Sequence, residues 1–219
     1  MKFNTDILQV YFVAGTQDCR HLEGNPTGNL ITILEDALKA GITCFQLREK
    51  GKYSLQDREE IKSFAIKCRD LCRAYQIPFI MNNDVDLAIE IGADGVHVGQ
   101  KDEPIKSVIK RFSHLGFIGL SCNSLEIAQS VNDLDGLSYL GVGPIYETFT
   151  KKDVGSAKGT QFLDQLKETG ITKPLVAIAG INEQNVADVL LKKTDGIAIV
   201  SSMISSTDRK KTVCALKGK

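Results

Sequence analysis

Eight short apolar segments, each followed by a longer segment of helical period, predict an α/β fold in which parallel strands close into a (β/α)8 barrel, the TIM barrel. No Pro- or Ser-rich linker and no shift in composition interrupts this alternation. The 219 residues divide into about 27 per strand–helix unit, close to the length of a βαβ element. The sequence therefore predicts a single barrel domain over residues 1–219.

The strands are predicted from runs rich in β-branched and aromatic residues, and the helices from apolar residues at helical spacing. The predicted strands span 8–14, 42–47, 77–81, 94–99, 116–120, 137–142, 174–179 and 195–200. The predicted helices lie around 28–40, 54–75, 84–92, 103–112, 124–133, 159–169, 182–192 and 202–215. A doubly wound open sheet is the alternative, but the segment after the first strand, VAGTQDCRH, lacks the Gly-x-Gly-x-x-Gly pattern usual there.

The composition favours a globular protein that acts on small molecules. Hydrophobic residues make up 42% of the chain, and the 27 basic residues balance the 27 acidic ones without a long basic run, so no nucleic-acid or anionic-membrane surface is predicted. Neither a signal peptide nor a run of roughly 18 apolar residues is found, so a cytoplasmic location is expected. The six scattered cysteines are expected to be reduced, with Cys68 and Cys72 structural. Whether the chain forms a homo-oligomer stays open.

The second predicted strand ends in alternating polar side chains. In a barrel, ligands meet the carboxyl ends of the strands, and a period of two places Gln46, Arg48 and Lys50 on one side there. Arg supplies a bidentate fork and Lys a point charge, which together suit phosphoryl oxygens. The alternative is a buried ion pair with Glu49 or a neighbouring carboxylate, although the Glu49 side chain is expected on the opposite face.

The third and fourth predicted strands supply carboxylate and amide groups. Asp84 is interpreted as the N-cap of the next helix, which leaves Asn82 or Asn83 to face a ligand. Asp102, near the predicted cations, suggests Mg²⁺ bridging to phosphate, although capping of the following helix is an equally good interpretation. His97 is expected to point inward as a hydrogen-bonded core histidine rather than a general base.

The later loops complete the predicted mouth of the barrel. The loop over 141–159 is the longest and is expected to be a lid or binding loop. Its hydroxyl and cationic donors are Thr148, Thr150, Lys151 and Lys152. Gly180 and Ser201, after strands 7 and 8, predict a phosphate site, with Ser201 or Ser202 as a simple helix cap the alternative. Two anion sites favour a transferase that joins two phosphorylated molecules over a single-phosphate isomerase.

Segments along nearly the whole chain resemble the thiamine-phosphate synthase family in order and spacing. They are QLREK at 46–50, NND at 82–84, ADGVHVGQKD at 93–102, GVGPIYETFTKKD at 141–153, AIAGI at 177–181 and VSSM at 200–203. The resemblance implies transfer of a hydroxymethylpyrimidine group from its diphosphate to the nitrogen of 4-methyl-5-(2-hydroxyethyl)thiazole phosphate. It also implies a dissociative, Mg²⁺-assisted reaction that passes through a pyrimidine carbocation and releases pyrophosphate. One catalytic domain is expected to carry out this reaction.

The same resemblance implies roles for individual residues. The pyrimidine diphosphate is held by Gln46, Arg48, Lys50, Asn82, Ser121 and Lys151. The thiazole phosphate is held by Thr148, Thr150, Gly180, Val200 and Ser201. Mg²⁺ is held by Asn83 and Asp102. The catalytic group is Arg48, Lys50, Lys151 and Ser121, of which the cations stabilise charge on the departing pyrophosphate.

The chain departs from the family pattern at a few positions. Asn83 stands where a second metal-binding Asp is usual, which is expected to weaken metal binding, while SCNS at 121–124 and Ala179 in IAGI are expected to be tolerated. A related thiazole tautomerase is the nearest alternative activity, but it has no pyrophosphate to bind, and the predicted cations and the TFTK segment argue against it. A catalytically weak sensor of a phosphate ligand is the alternative from another class, supported only by Asn83.

Overall fold

The computed structural model describes residues 3–148, 155–192 and 194–218, and within them the strands form a closed barrel. The strands are β1 Val10–Ala14, β2 Cys44–Leu47, β3 Phe79–Asn82, β4 Gly95–Val98, β5 Phe117–Cys122, β6 Tyr139–Val142, β7 Leu175–Ile178 and β8 Gly196–Ile199. Each strand pairs in parallel with the next, and β1 also pairs with β8. The predicted (β/α)8 barrel is confirmed, and the open doubly wound sheet is excluded.

The helices lie between the strands in the predicted order. They are α1 Pro26–Ala40, α2 Arg58–Ala74, α3 Val85–Ile91, α4 Ile105–Phe112, α5 Leu125–Val131, α6 Gln161–Glu168, α7 Val186–Leu190, α8 Ser201–Ile204 and α9 Arg209–Leu216. The helix predicted over 202–215 is therefore two helices, because the Asp208 side chain accepts from the Lys211 N–H and starts α9 afresh. The first predicted strand is shorter than expected, since Thr5–Leu8 forms a 3₁₀ turn capped by Asn4.

Alternation along the strands divides the buried side chains between two layers. In β1, Val10 and Phe12 face the surrounding helices, while Tyr11 and Val13 face the barrel interior. Full burial of a side chain such as Phe12 contributes about 1.5–3 kcal/mol to stability. The strand period therefore decides which side chains reach the interior and, at the strand ends, the mouth of the barrel.

The six cysteines are free thiols, and all except Cys214 are buried. Desolvation raises the pKa of the Cys19 thiol to about 12 and of the Cys122 thiol to about 11. Cys68 and Cys72 lie on the buried face of α2 and pack in the core, in agreement with a structural role. None of the helices described is long and apolar enough to cross a membrane.

Candidate active site

A cavity of about 240 Å³ opens at the carboxyl ends of the barrel strands. The residues predicted from the sequence that line it are Gln46, Arg48, Lys50, Asn82, Asp102, Ser121, Thr148, Gly180, Val200 and Ser201. Asn83 contacts this set through Asp102 rather than lining the cavity. Thr150, Lys151 and Lys152 lie outside the described residues. Positions at the carboxyl ends of different strands thus bring together side chains that are far apart in sequence.

The end of β2 carries the cationic side of the cavity. Gln46 is buried in the barrel interior, where its Nε2 donates to the Tyr11 hydroxyl at 2.6 Å. The Lys50 ammonium lies 3.6 Å from Asp102 Oδ1 on the same side of the cavity. Glu49 points away and accepts from the Thr16 N–H at 2.7 Å, so the alternative of an ion pair with Glu49 is wrong. The other form of that alternative, an ion pair with a neighbouring carboxylate, is present between Lys50 and Asp102, but the pair is partly exposed at the cavity rather than buried.

Asp102 closes the turn after β4 and faces the Lys50 ammonium. Its Oδ2 accepts from the Gly99 N–H at 2.7 Å, and its Oδ1 accepts from Asn83 Nδ2 at 2.9 Å. Helix α4 starts after Pro104 without a side-chain cap, so the interpretation of Asp102 as a helix cap is wrong. The carboxylate is held by its own loop and remains 17% exposed at the cavity.

Asn83 and Asp84, which follow β3, point in different directions and make different contacts. Asn83 adopts φ +64°, a left-handed conformation that Asn tolerates better than most residues, and its N–H donates to the His97 carbonyl at 2.8 Å. Asp84 accepts from the Leu87 N–H at 2.8 Å and pairs with Arg58 at 3.1 Å. Asp84 therefore caps α3, as predicted, and its carboxylate is committed away from the cavity.

The carboxylate of Asp102 and the amide of Asn83 fit a magnesium ion held mainly by a substrate. Both are oxygen-bearing groups of the kind that Mg²⁺ prefers. Among the described residues, no group of three or more His, Cys, Asp or Glu side chains could hold a metal ion. A single carboxylate suits the mode in which phosphate oxygens and water complete the coordination.

The ends of β7 and β8 form the opposite side of the cavity. Gly180 adopts φ +68°, and a Cβ there would lie 2.6 Å from the Glu147 carbonyl oxygen, so a side chain is excluded. Ala179 is accommodated, but at a strained φ of +85°. Val200 is the N-cap residue of α8 and makes no side-chain cap bond, so interpreting Ser201 or Ser202 as the cap is wrong.

The start of the loop after β6 is bonded to the end of β7, and the end of the loop is bonded to its own start. The Tyr146 N–H donates to the Ala179 carbonyl at 3.1 Å, and the Lys158 N–H donates to the Pro144 carbonyl at 2.9 Å. Thr148 reaches the cavity. Residues 149–154 are outside the described part of the chain, so the lid stays a prediction.

A polar cluster, with Tyr139 buried and His97 and Ser121 partly buried, forms the floor of the cavity. His97 Nδ1 lies 3.1 Å from the Tyr139 hydroxyl, and His97 Nε2 lies 3.0 Å from Ser121 Oγ. The expectation of a hydrogen-bonded core histidine is confirmed. Sequence reasoning did not identify Tyr11 or Tyr139, although the inward position of Tyr11 follows from its alternation with Phe12. Desolvation raises the pKa of both tyrosines well above 10.0.

A closed barrel with a cavity at the carboxyl ends of its strands defines the class of (β/α)8 enzymes that act on small molecules. The family model described as thiamine monophosphate synthase matches residues 10–203, and the chain belongs to this family.

Curated relatives agree with this family over nearly the full chain. The chain is 48% identical over 208 residues to the thiamine-phosphate synthase of Actinobacillus succinogenes, covering 94% of each protein. It is also 48% identical over 210 residues to that of Listeria monocytogenes serovar 1/2a, covering 96% of this chain and 95% of the relative.

Solved structures extend the similarity to the fold. The thiamine phosphate pyrophosphorylase of Pyrococcus furiosus superposes with a TM-score of 0.80 at 29% identity, covering 98% of this chain and 96% of that one. The 3-hexulose-6-phosphate synthase of Salmonella typhimurium has a TM-score of 0.70 at 14% identity, with 96% and 97% covered, and shows the barrel fold alone.

Proposed function

We propose that residues 1–219 form one catalytic domain that makes thiamine phosphate. It joins 4-amino-5-hydroxymethyl-2-methylpyrimidine diphosphate to 4-methyl-5-(2-hydroxyethyl)thiazole phosphate and releases pyrophosphate. The observation that carries the proposal is the convergence of Arg48, Lys50 and Asp102 on one wall of a cavity whose other wall is the β7–β8 end. Sequence identity of 48% to thiamine-phosphate synthases supports the same activity.

The pyrimidine diphosphate binds at the β2–β5 side of the cavity. Arg48 and Lys50 neutralise diphosphate oxygens, and both positions lie at the strand end rather than in the packed core. Gln46, Asn82 and Ser121 line the same wall and orient the pyrimidine. From the sequence pattern, Lys151 adds a third cation.

The thiazole phosphate binds at the β7–β8 side. Gly180 allows the backbone to approach the phosphate closely, because it has no Cβ. Val200 and Ser201 surround the phosphate end at the start of α8. Thr148, together with Thr150 from the sequence pattern, contacts the thiazole from the β6 loop.

Asp102 and Asn83 would hold Mg²⁺ together with diphosphate oxygens. The ion would neutralise charge that builds on the departing pyrophosphate. In this structure the Asn83 side-chain N–H donates to Asp102, so metal ligation through Asn83 requires its amide oxygen to turn toward the ion.

The protein contributes electrostatic stabilisation and positioning. Cleavage of the bond between the pyrimidine methylene and the diphosphate oxygen leaves negative charge beside Arg48 and Lys50, where fixed cations stabilise it without reorganisation. The thiazole nitrogen then bonds to the methylene carbon, which needs no enzyme nucleophile. A cytoplasmic location and small-molecule partners, rather than nucleic acid or membrane, complete the proposal.

A turnover assay with both substrates and Mg²⁺ tests the proposed activity. Thiamine phosphate and pyrophosphate should appear in equal amounts. Lys50→Ala should lose most of this activity, whereas Lys39→Ala, which removes an exposed lysine paired with Glu35 on α1, should retain it. Thiazole isomerisation without the pyrimidine substrate would favour the tautomerase, and thiazole binding without turnover would favour the sensor.

A further inference from the structure

A chain of hydrogen bonds crosses the floor of the barrel and links two residues of the proposed diphosphate site. Gln46 Nε2 donates to Tyr11 Oη at 2.6 Å, and Tyr11 Oη lies 2.9 Å from Tyr139 Oη. Tyr139 Oη lies 3.1 Å from His97 Nδ1, and His97 Nε2 lies 3.0 Å from Ser121 Oγ. These side chains come from β2, β1, β6, β4 and β5, so the chain spans the barrel interior.

The number of protons in this chain gives it a direction. The Tyr11 hydroxyl accepts from Gln46, and either hydroxyl could donate in its contact with Tyr139. Because Tyr11 is buried, its own proton is satisfied only by donation to Tyr139, the other hydrogen-bond partner of its hydroxyl among the described residues. The proton of Tyr139 then lies on the contact with His97 Nδ1, which must be an acceptor. A neutral imidazole with an accepting Nδ1 carries its proton on Nε2 and donates it to Ser121 Oγ.

We propose that this chain fixes His97 as the Nε2–H tautomer and thereby reserves the Ser121 hydroxyl proton for the bound ligand. Tyr11 and Tyr139 are assigned as positioning residues, because the Tyr11 hydroxyl contacts Gln46 and the Tyr139 hydroxyl contacts His97. The inference rests on the proposed function in one respect, namely that the acceptor for Ser121 is an oxygen of the diphosphate.

The direction matters because a diphosphate oxygen accepts hydrogen bonds and cannot donate them. In the reverse direction, Ser121 would donate to His97 Nε2 and could only accept from a ligand. Burial fixes the direction across the two tyrosines, because Tyr11 and Tyr139 are 1% and 0% exposed and water cannot replace a lost donor there. His97 and Ser121, which are partly buried, receive that direction through Tyr139. At one end of the series, the Gln46 amide donates to Tyr11 and so sets the direction. At the other end, Ser121 accepts from His97 and keeps its own hydroxyl proton available for a ligand.

Nitrogen NMR of the imidazole rings tests the tautomer without any assay of turnover. The substrate-free protein, labelled with ¹⁵N at its three histidines, should show His97 protonated at Nε2 and unprotonated at Nδ1, with His97→Gln providing the assignment. Tyr139→Phe removes the donor to Nδ1 and should give a mixture of tautomers. A proton on Nδ1, or on both nitrogens, in the unaltered protein would overturn the inference.

Kinetics of a double-mutant cycle test whether Tyr139 acts through Ser121. Tyr139→Phe should lower kcat/KM for the pyrimidine diphosphate about tenfold, which is within the range expected for a hydrogen bond to a charged group. In a Ser121→Ala background the same change should have little further effect, because the hydroxyl that it orients is absent. Tyr75→Phe, which removes a hydroxyl that contacts Glu35, is the matched control and should leave kcat/KM unchanged.

Equal losses from Tyr139→Phe in both backgrounds would show a general effect on packing and overturn the role assigned to Tyr139. If Tyr139→Phe does not fold, Tyr11→Phe breaks the chain one contact earlier and should give the same coupling to Ser121. An Nε2 proton in a protein that makes no thiamine phosphate would retain the tautomer and reject the proposed function. An Nδ1 proton in an active synthase would do the opposite.

Discussion

Replacement of Asn83 by Asp places a second carboxylate against Asp102. Asn83 Nδ2 donates to Asp102 Oδ1 at 2.9 Å, so Asn83→Asp exchanges a hydrogen bond for contact between two negatively charged oxygens. The Lys50 ammonium, 3.6 Å from Asp102, offsets part of this repulsion. The variant should therefore be less stable than the parent in the absence of Mg²⁺ and should recover when the ion binds.

The size of the effect follows from the exposure of the groups. Two unit charges about 4 Å apart interact by about 1 kcal/mol in water and about 4 kcal/mol at an effective dielectric constant of 20. Because the Asp102 and Lys50 side chains are 17% and 42% exposed, the lower part of this range applies, about 1–2 kcal/mol. Without metal, the melting temperature should fall by about 2–8 °C. A divalent ion gains about twice the single-charge energy, so its half-saturating concentration should fall by at least tenfold.

Magnesium titrations of activity and of melting temperature measure both effects. The parent should need more free Mg²⁺ than Asn83→Asp for half-maximal activity, with similar rates at saturating metal. Asp84→Asn should change little, because Asn also caps helices and the Asp84 carboxylate points to Arg58. An unchanged midpoint in Asn83→Asp together with a large rightward shift in Asp84→Asn would refute this reasoning and identify Asp84 as the metal ligand.

Three further experiments test the cations of the cavity, the backbone strain at Ala179 and the burial of the cysteines. Arg48→Ala and Lys151→Ala should each lower kcat/KM by about a hundredfold or more without lowering the melting temperature, and a collapsed melting temperature with normal specific activity would contradict their proposed roles. Ala179→Gly should raise the melting temperature by about 2 °C, because the φ of +85° costs Ala about 1–2 kcal/mol, partly offset by the greater unfolded-state freedom of Gly. Ala177→Gly, in β7, should lower it, and equal shifts in the two variants would remove strain as the cause. Alkylation at pH 8 should modify the exposed Cys214 quickly and the other five thiols only after unfolding. Those five thiols are buried, and burial raises the pKa of each. Rapid reaction of two or more cysteines in the folded protein would contradict their burial.

Sequence periodicity predicted the fold and one wall of the cavity because it fixes the side of a strand on which a residue lies. Arg48 was located in this way, since it continues the inward set of β2. The conformation of short loops was harder to predict. Asp102 turns back to the Gly99 N–H instead of forward to α4, and sequence spacing allows both. The contact between Tyr11 and Tyr139 joins positions 128 residues apart, so only the closed barrel reveals it.

Pairing of β1 with β8 closes the barrel between residues near opposite ends of the chain, among them Val10 and Ile197. The proposed ligands contact both sides of this junction, with Arg48 following β2 and Ser201 following β8. Bound substrates would thus connect the first and the last strand–helix units of the barrel, which meet where β1 pairs with β8. At a concentration one hundred times its Kd, a ligand adds about 2.7 kcal/mol to the stability of the state that binds it. The enzyme would then resist separation of its terminal units most strongly while its substrates are bound.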